Sequence, residues 1–134
     1  MNGIPTFAVT FAVFEQRLFR GGFQGSAIAT TVATECIEEA ARELAIMLRA
    51  VRVEPDSITV GAAESSYRWC QDFICYRAAP EFVRRVGKAD AGESGAAWDA
   101  KADAMKKDLN ERPHVVLGDL TQFRSTGGVA ACFR

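Results

Sequence analysis

The sequence offers four places where residue type and spacing could support chemistry. Gly21-Gly22-Phe23-Gln24-Gly25-Ser26 stands just ahead of an expected helix, where backbone amides and the helix dipole can hold a phosphate. A phosphate-binding loop also needs a lysine before its Ser or Thr. Here Gly25 precedes Ser26, and the dinucleotide spacing fails as well. A glycine turn between two helices is the favoured reading. Glu35, Glu38, Glu39 and Glu43 could ligate a metal or serve in acid–base catalysis. Carboxylate metal bundles, however, add a Glu-x-x-His motif, and the chain's one histidine is His114. These glutamates lie opposite an apolar stripe, so a solvated face is expected.

Cys36, Cys70, Cys75 and Cys132 form no C-x-x-C pair and no zinc spacing. They read as free, buried thiols in a reducing compartment. A Cys–His nucleophile pair with His114 is set aside, because His114 follows Pro113 and reads as a turn residue. Arg68, Arg77, Arg84, Arg85 and Lys88 are interleaved with Tyr67, Trp69 and Tyr76. Such a mixture suits stacking on nucleic acid or a protein interface. The formal net charge of −1 favours the interface, since phosphate binding needs a cationic excess. No catalytic residue, cofactor site or metal site is assigned.

The elements that must carry these residues are mainly amphipathic helices. With 134 residues, 49% of them hydrophobic and 25% charged, the chain fits one globular domain rather than disorder. No apolar stretch suits a membrane span, and the first residues lack the pattern of a secretory signal. Residues 6–20 carry both a strand period (Phe7, Val9, Phe11, Val13) and a helical face (Phe7, Phe11, Phe14, Leu18); the helix is favoured. Residues 26–51 hold the clearest helical stripe, with Ser26 as N-cap candidate, Leu44 and Leu48 inside, and a length of about 37 Å. Ser57–Val60 reads as a short β-like stretch.

The next helix is expected from Ser65 or Ser66 through Arg77, with Pro80 disrupting it or opening a short helix to Val86. Residues 87–96 read as a loop. Ser94 is a cap candidate for a last helix, whose Trp98, Ala102, Met105 and Leu109 share one face. Pro113 ends that helix. The expected fold is all-α: a four- to five-helix bundle around one long central helix, 26–51, with an extended C-terminal tail. Leu44, Leu48, Phe73, Ile74, Trp98, Met105 and Leu109 should be core. The helical domain is placed at 1–118 and the docking tail at 119–134, where Val129 and Phe133 supply an apolar end.

The order of these features resembles the head–tail adaptor (connector) proteins of tailed bacteriophages. The residues that carry the resemblance are Phe14-Glu15-Gln16-Arg17-Leu18-Phe19, Ile37-Glu38-Glu39-Ala40 with Leu44, and Phe73-Ile74-Cys75-Tyr76-Arg77-Ala78. They continue with Ala97-Trp98-Asp99-Ala100-Lys101, Lys107-Asp108-Leu109, and Pro113-His114-Val115-Val116-Leu117-Gly118-Asp119. The resemblance implies a structural, non-enzymatic virion protein of the phage neck, assembled in the host cytoplasm. Identical copies would form a ring by head-to-tail contacts, beneath the portal and against a tail or head-closure protein. DNA would pass through the lumen without sequence-specific binding, and no membrane would be involved. The partner-binding residues are then Arg77, Arg84, Arg85, Val129 and Phe133. The alternative is a small cytoplasmic helical regulator that binds a protein or nucleic acid; a helical enzyme ranks third. On the adaptor reading, removal of 120–134 leaves a folded domain that cannot join the particle.

Overall fold

The computed structural model describes residues 5–18, 27–86 and 91–120. Among these the fold is all-α, with no strand. Its helices are α1 (Phe11–Leu18), α2 (Ala27–Ala50), α3 (Glu64–Val86), α4 (Ala91–Glu111) and α5 (Pro113–Val116), with a 3-10 turn at Pro55–Ser57. Ser26 and the glycine-rich stretch before it lie outside the described residues.

The centre of the bundle is α3, not the 26–51 helix. α3 packs along α2 on one flank and along α4 on the other, while α2 and α4 scarcely meet. Sequence periodicity favoured α2 because a helix covered on one flank shows a sharp apolar stripe, whereas one covered on two does not. α2 contributes Ala33, Cys36, Ile37, Ala40, Ala41, Leu44, Met47 and Leu48 to the core, and its alanines let α3 approach closely. α3 buries Cys70, Phe73, Ile74, Cys75, Ala78, Ala79, Phe82 and Val83. From α4, Ala102 and Leu109 are buried, and Trp98 and Met105 are partly buried against the same core.

Pro80 lies inside α3 and does not interrupt it. A proline removes one backbone hydrogen bond and strains the preceding turn, at about 3 kcal/mol. Its neighbours Ala78, Ala79, Phe82 and Val83 are all buried, and that burial holds the helix together across the defect. Gly95 faces Pro80 closely: a Cβ placed on Gly95 would lie 3.7 Å from the Pro80 Cα and Cβ. α4 starts at Ala91, so the expected 87–96 loop is shorter and Ser94 falls within the helix rather than capping it.

The β-like reading of 57–60 also fails. Ser57 closes the 3-10 turn, and Thr59 turns the chain into α3 by accepting from the Ala63 amide through its carbonyl (2.8 Å) and from the Ala62 amide through its hydroxyl (3.3 Å). Ile58 is buried and Val60 is 60% exposed; the alternation is real, but no neighbouring strand exists among the described residues to pair with it.

α2 ends in a Schellman motif. The Val53 amide donates to the Leu48 carbonyl (2.8 Å) and the Arg52 amide to the Arg49 carbonyl (3.0 Å). Val53 and Leu48 are both buried, which is the apolar contact that accompanies this motif. Arg52 occupies the left-handed position, φ 66°, usually filled by glycine because a Cβ costs roughly 1 kcal/mol there.

At the N-terminal side, residues 6–9 form a turn rather than a helix: Phe7 (φ 53°) and Ala8 (φ 59°) are both left-handed, and the Val9 amide donates to the Thr6 carbonyl at 3.0 Å. This turn directs Phe7 onto Tyr67, edge to face at 5.5 Å. α1 follows and seats Phe14 edge to face on Phe82 at 5.2 Å.

Arg52→Gly should stabilise the fold by about 1 kcal/mol, read as a higher denaturant midpoint at unchanged slope. An unchanged or lower midpoint would show that the Arg52 side chain compensates for its backbone.

Candidate functional site

The charged groups of the middle region are used first to fasten the helices together. Arg77 projects from α3 between α2 and α4. Its Nη1 donates to Asp99 and its Nη2 to Asp103, each at 2.7 Å, and its Nε lies 3.1 Å from Glu43 Oε1. The Nε contact is an ion pair angled away from hydrogen-bond geometry, so that N–H has no hydrogen-bond acceptor. The Arg77 side chain is only 18% exposed, and its guanidinium also sits 5.6 Å from the Phe73 ring centroid. One cation thus bridges three helices. Asp99 and Asp103 are one helical turn apart, the spacing that lets two carboxylates face one fork. Glu43 also receives Lys106 at 3.3 Å.

The other basic residues divide differently. Arg85 pairs with Glu35 at 2.6 Å and approaches the Cys36 sulfur at 3.8 Å. Arg84 pairs with Glu81 on its own helix. Arg17 of α1 reaches Asp72, and also donates to Gln71 Oε1 at 2.8 Å. Burial pushes the Asp72 carboxyl above its ordinary range, while Arg17 and Arg68 pull it back. Of the acidic face expected on α2, Glu38 and Glu39 are exposed, whereas Glu35 and Glu43 bind cations of α3 and α4.

A second fastening joins the two ends of the helical unit. α5 leads to Leu117, fully buried, and Leu120, 5% exposed. Between them Asp119 turns its carboxylate onto the start of α3. The Ser65 amide donates to Oδ2 at 2.8 Å, the Ser66 amide to Oδ2 at 3.2 Å, and the Ser66 hydroxyl to Oδ1. Ser65 and Ser66 were the expected caps; they lie inside α3 instead, and Asp119 does the capping from more than fifty residues away. An acid suits the positive end of a helix dipole. Burial alone would raise the Asp119 carboxyl, but the Ser66 hydroxyl and the Ser66 and Ser65 amides leave it below its ordinary range. Gly118 is required by close approach: a Cβ there would meet the His114 carbonyl at 3.0 Å.

Two open grooves stand out among the described residues. One, of about 430 Å³, runs between α2, α3 and α4 and is lined by Glu39, Glu43, Arg77, Glu81, Arg84 and Asp99 over Ala40 and Ala78. The other, of about 420 Å³, lies between residues 6–12 and α2. Val9, Phe11, Ala12 and Ile37 form its apolar floor, with Thr34 and Glu38 at the rim. The first is shaped for charged side chains and the second for an apolar segment.

Among the described residues those picked for chemistry do not converge; Cys132 lies outside them. His114 is exposed on α5, the short helix that begins at Pro113 rather than a bare turn. Cys36, Cys70 and Cys75 are free and buried. Burial raises all three thiols, Cys75 to about 12, the opposite of what a nucleophilic cysteine requires. Among the described residues no group of three or more His, Cys, Asp or Glu is placed to hold a metal ion, and no helix is long and apolar enough to cross a membrane. Of the five residues expected to bind partners, Arg77 is enclosed by its carboxylates, Arg84 and Arg85 are exposed at the far end of α3, and Val129 and Phe133 lie outside the described residues. The Arg77 clamp and the Asp119 cap escaped the sequence reading, although the Asp99–Asp103 spacing and the Leu117-Gly118-Asp119 run stand in the sequence.

Arg77→Ala should cost about 2 kcal/mol, with Arg77→Lys restoring only part, because an ammonium cannot serve three carboxylates as a fork does. A thermal or denaturant midpoint equal to wild type would contradict the clamp. Asp119→Ala should cost about 1 kcal/mol at pH 7. Because the folded Asp119 carboxyl sits below its unfolded value near ~3.9, its stabilisation is present above that pH and is lost as pH falls through the folded pKa. The difference between wild type and Asp119→Ala should therefore shrink in acid. A difference independent of pH would assign the loss to packing rather than to charge. Comparison with protein-family models, curated proteins and solved structures returns no match for this chain.

Proposed function

We propose that this chain is a structural assembly subunit, a head-to-tail adaptor of a tailed-phage neck that forms a ring between portal and tail. The observation that carries the reading is where the helical unit closes. Leu117 and Leu120 are buried in its core, and Asp119 between them locks this segment onto α3. The apolar run Val129–Phe133 follows this segment in the sequence, and we read it as a docking segment. Three further apolar side chains support the reading: Ile46, Val60 and Val115 are 69%, 60% and 60% exposed. Connectivity gathers them at one end of the bundle, where α2 stops, α3 starts and α5 follows α4. The chain continues past Leu120 from that same end. Exposed apolar groups at one end of the bundle suit subunit contacts.

Asp119 and Leu120 are fastened to the helical unit, although the sequence reading placed that domain at 1–118. Truncation should therefore be made after Leu120, not before it. The truncated chain should keep its helical circular dichroism and cooperative melt yet fail to join particles, while the full chain gives closed rings by negative-stain electron microscopy and a matching mass by light scattering. Particle assembly by the truncated chain at the normal level would defeat the reading. So would a full chain that stays monomeric and binds nucleic acid in a salt-sensitive manner.

A further inference from the structure

We propose that residues 5–18 act as a strap with two settings: the closed turn seen in this structure, and an open setting in which residues 7–10 join α1 as one continuous helix. The inference stands apart from the adaptor reading and concerns the single chain. Sequence and packing disagree at this point of the molecule. Phe7, Phe11, Phe14 and Leu18 recur at the spacing of one helical face. Ala8 has the best helix propensity of any residue type, and Thr6 suits the N-cap of a helix that starts at Phe7. In the closed setting Phe7 and Ala8 are instead left-handed, φ 53° and φ 59°, a conformation that residues with a Cβ adopt only against strain.

Geometry explains why the docked strap is not helical throughout. Phe7 rests on Tyr67 with ring centroids 5.5 Å apart, and Phe11 lies 6.2 Å from Phe82. Tyr67 and Phe82 are about 22 Å apart along α3, whereas a helix from Phe7 to Phe11 advances only about 6 Å. The two side chains reach both rings because the backbone between them is unwound. Burial of Phe7 and Val9, 5% and 4% exposed, holds the turn in place. One side chain of α3 acts as the catch. Gln71 Nε2 donates to the Phe7 carbonyl at 2.9 Å, and Gln71 Oε1 accepts from Arg17 at 2.8 Å. A single carboxamide thus ties both ends of the strap, and Arg17 also pairs with the adjacent Asp72. α1 itself has 8 residues, and it packs on α2 and α3 far less extensively than those helices pack on each other. A short element, strained at one end and held by one catch, opens at lower free energy than the core beneath it. Opening releases Phe7 from Tyr67, relieves both left-handed residues, and makes the aromatic face of the strap continuous. These are two discrete arrangements of one segment, the basis of a conformational switch.

The test is NMR relaxation dispersion on the full chain. Residues 6–10 should exchange with a minor state whose Cα chemical shifts are helical, while Ile74–Val83 in the core show no such exchange. Gln71→Ala removes the catch and should raise the minor population about fivefold. Ala8 is exposed, so Ala8→Gly alters backbone preference without disturbing packing. Glycine enters the left-handed region freely and disfavours the helix. Added to Gln71→Ala, Ala8→Gly should therefore lower the minor population about tenfold. A minor state with random-coil shifts in place of helical ones would overturn the proposal. So would a minor population that Ala8→Gly leaves unchanged, or the absence of a helical minor state from both wild type and Gln71→Ala.

Discussion

The bundle depends on α3 being covered along two opposite flanks. Phe73, Ile74 and Phe82 are fully buried, and no single neighbouring helix could enclose all of them. α2 covers one flank with alanines and leucines, and α4 covers the other with Ala102 and Leu109. Because α2 and α4 barely touch, neither can substitute for α3 as the common partner. Even Pro80, which would break an isolated helix, is carried by burial on both sides of it. The placement of every other group follows from this arrangement.

Charge is organised around the same helix. Arg77 stands where the two flanking helices come closest to a shared position, and it draws one carboxylate from α2 and two from α4. Arg85 and Glu35 repeat the link between α2 and α3 near the far end, while Asp119 closes the near end by capping α3. A residue type enriched at protein interfaces is in this case largely consumed inside the fold. What remains for partners is different: the apolar groove beside Glu38, the exposed Ile46, Val60 and Val115, and the sequence beyond Leu120. The reading as an assembly subunit rests on that remainder rather than on the arginines.

The helical class and most of the core were legible in the residues. The stripe Trp98, Ala102, Met105, Leu109 and the stripe of α2 follow from a 3.6-residue period, and Leu44, Leu48, Phe73, Ile74 and Leu109 are buried as expected. The failures share one cause. α3 was cut at Pro80 and denied its central place because local propensity cannot register burial contributed by two distant helices. Residues 6–9 form a left-handed turn although Phe7 and Phe11 suit one helical face, because the turn brings Phe7 to Tyr67. The pairing of Asp119 with Ser65 and Ser66 joins residues more than fifty positions apart, and no spacing rule reaches that far. Of the candidate site, Arg77 was singled out as an interface arginine among aromatics, but its partners on α2 and α4 make its role internal.

The most direct test of this arrangement is native-state amide hydrogen exchange on the full chain. With α3 as the shared core, amides from Ile74 to Val83 should exchange only through global unfolding, the slowest in the molecule. The Ser65 and Ser66 amides, first-turn donors that ordinarily exchange fast, should be protected by Asp119. Slowest exchange confined to α2, with α3 opening at lower free energy and Ser65 and Ser66 unprotected, would contradict the account.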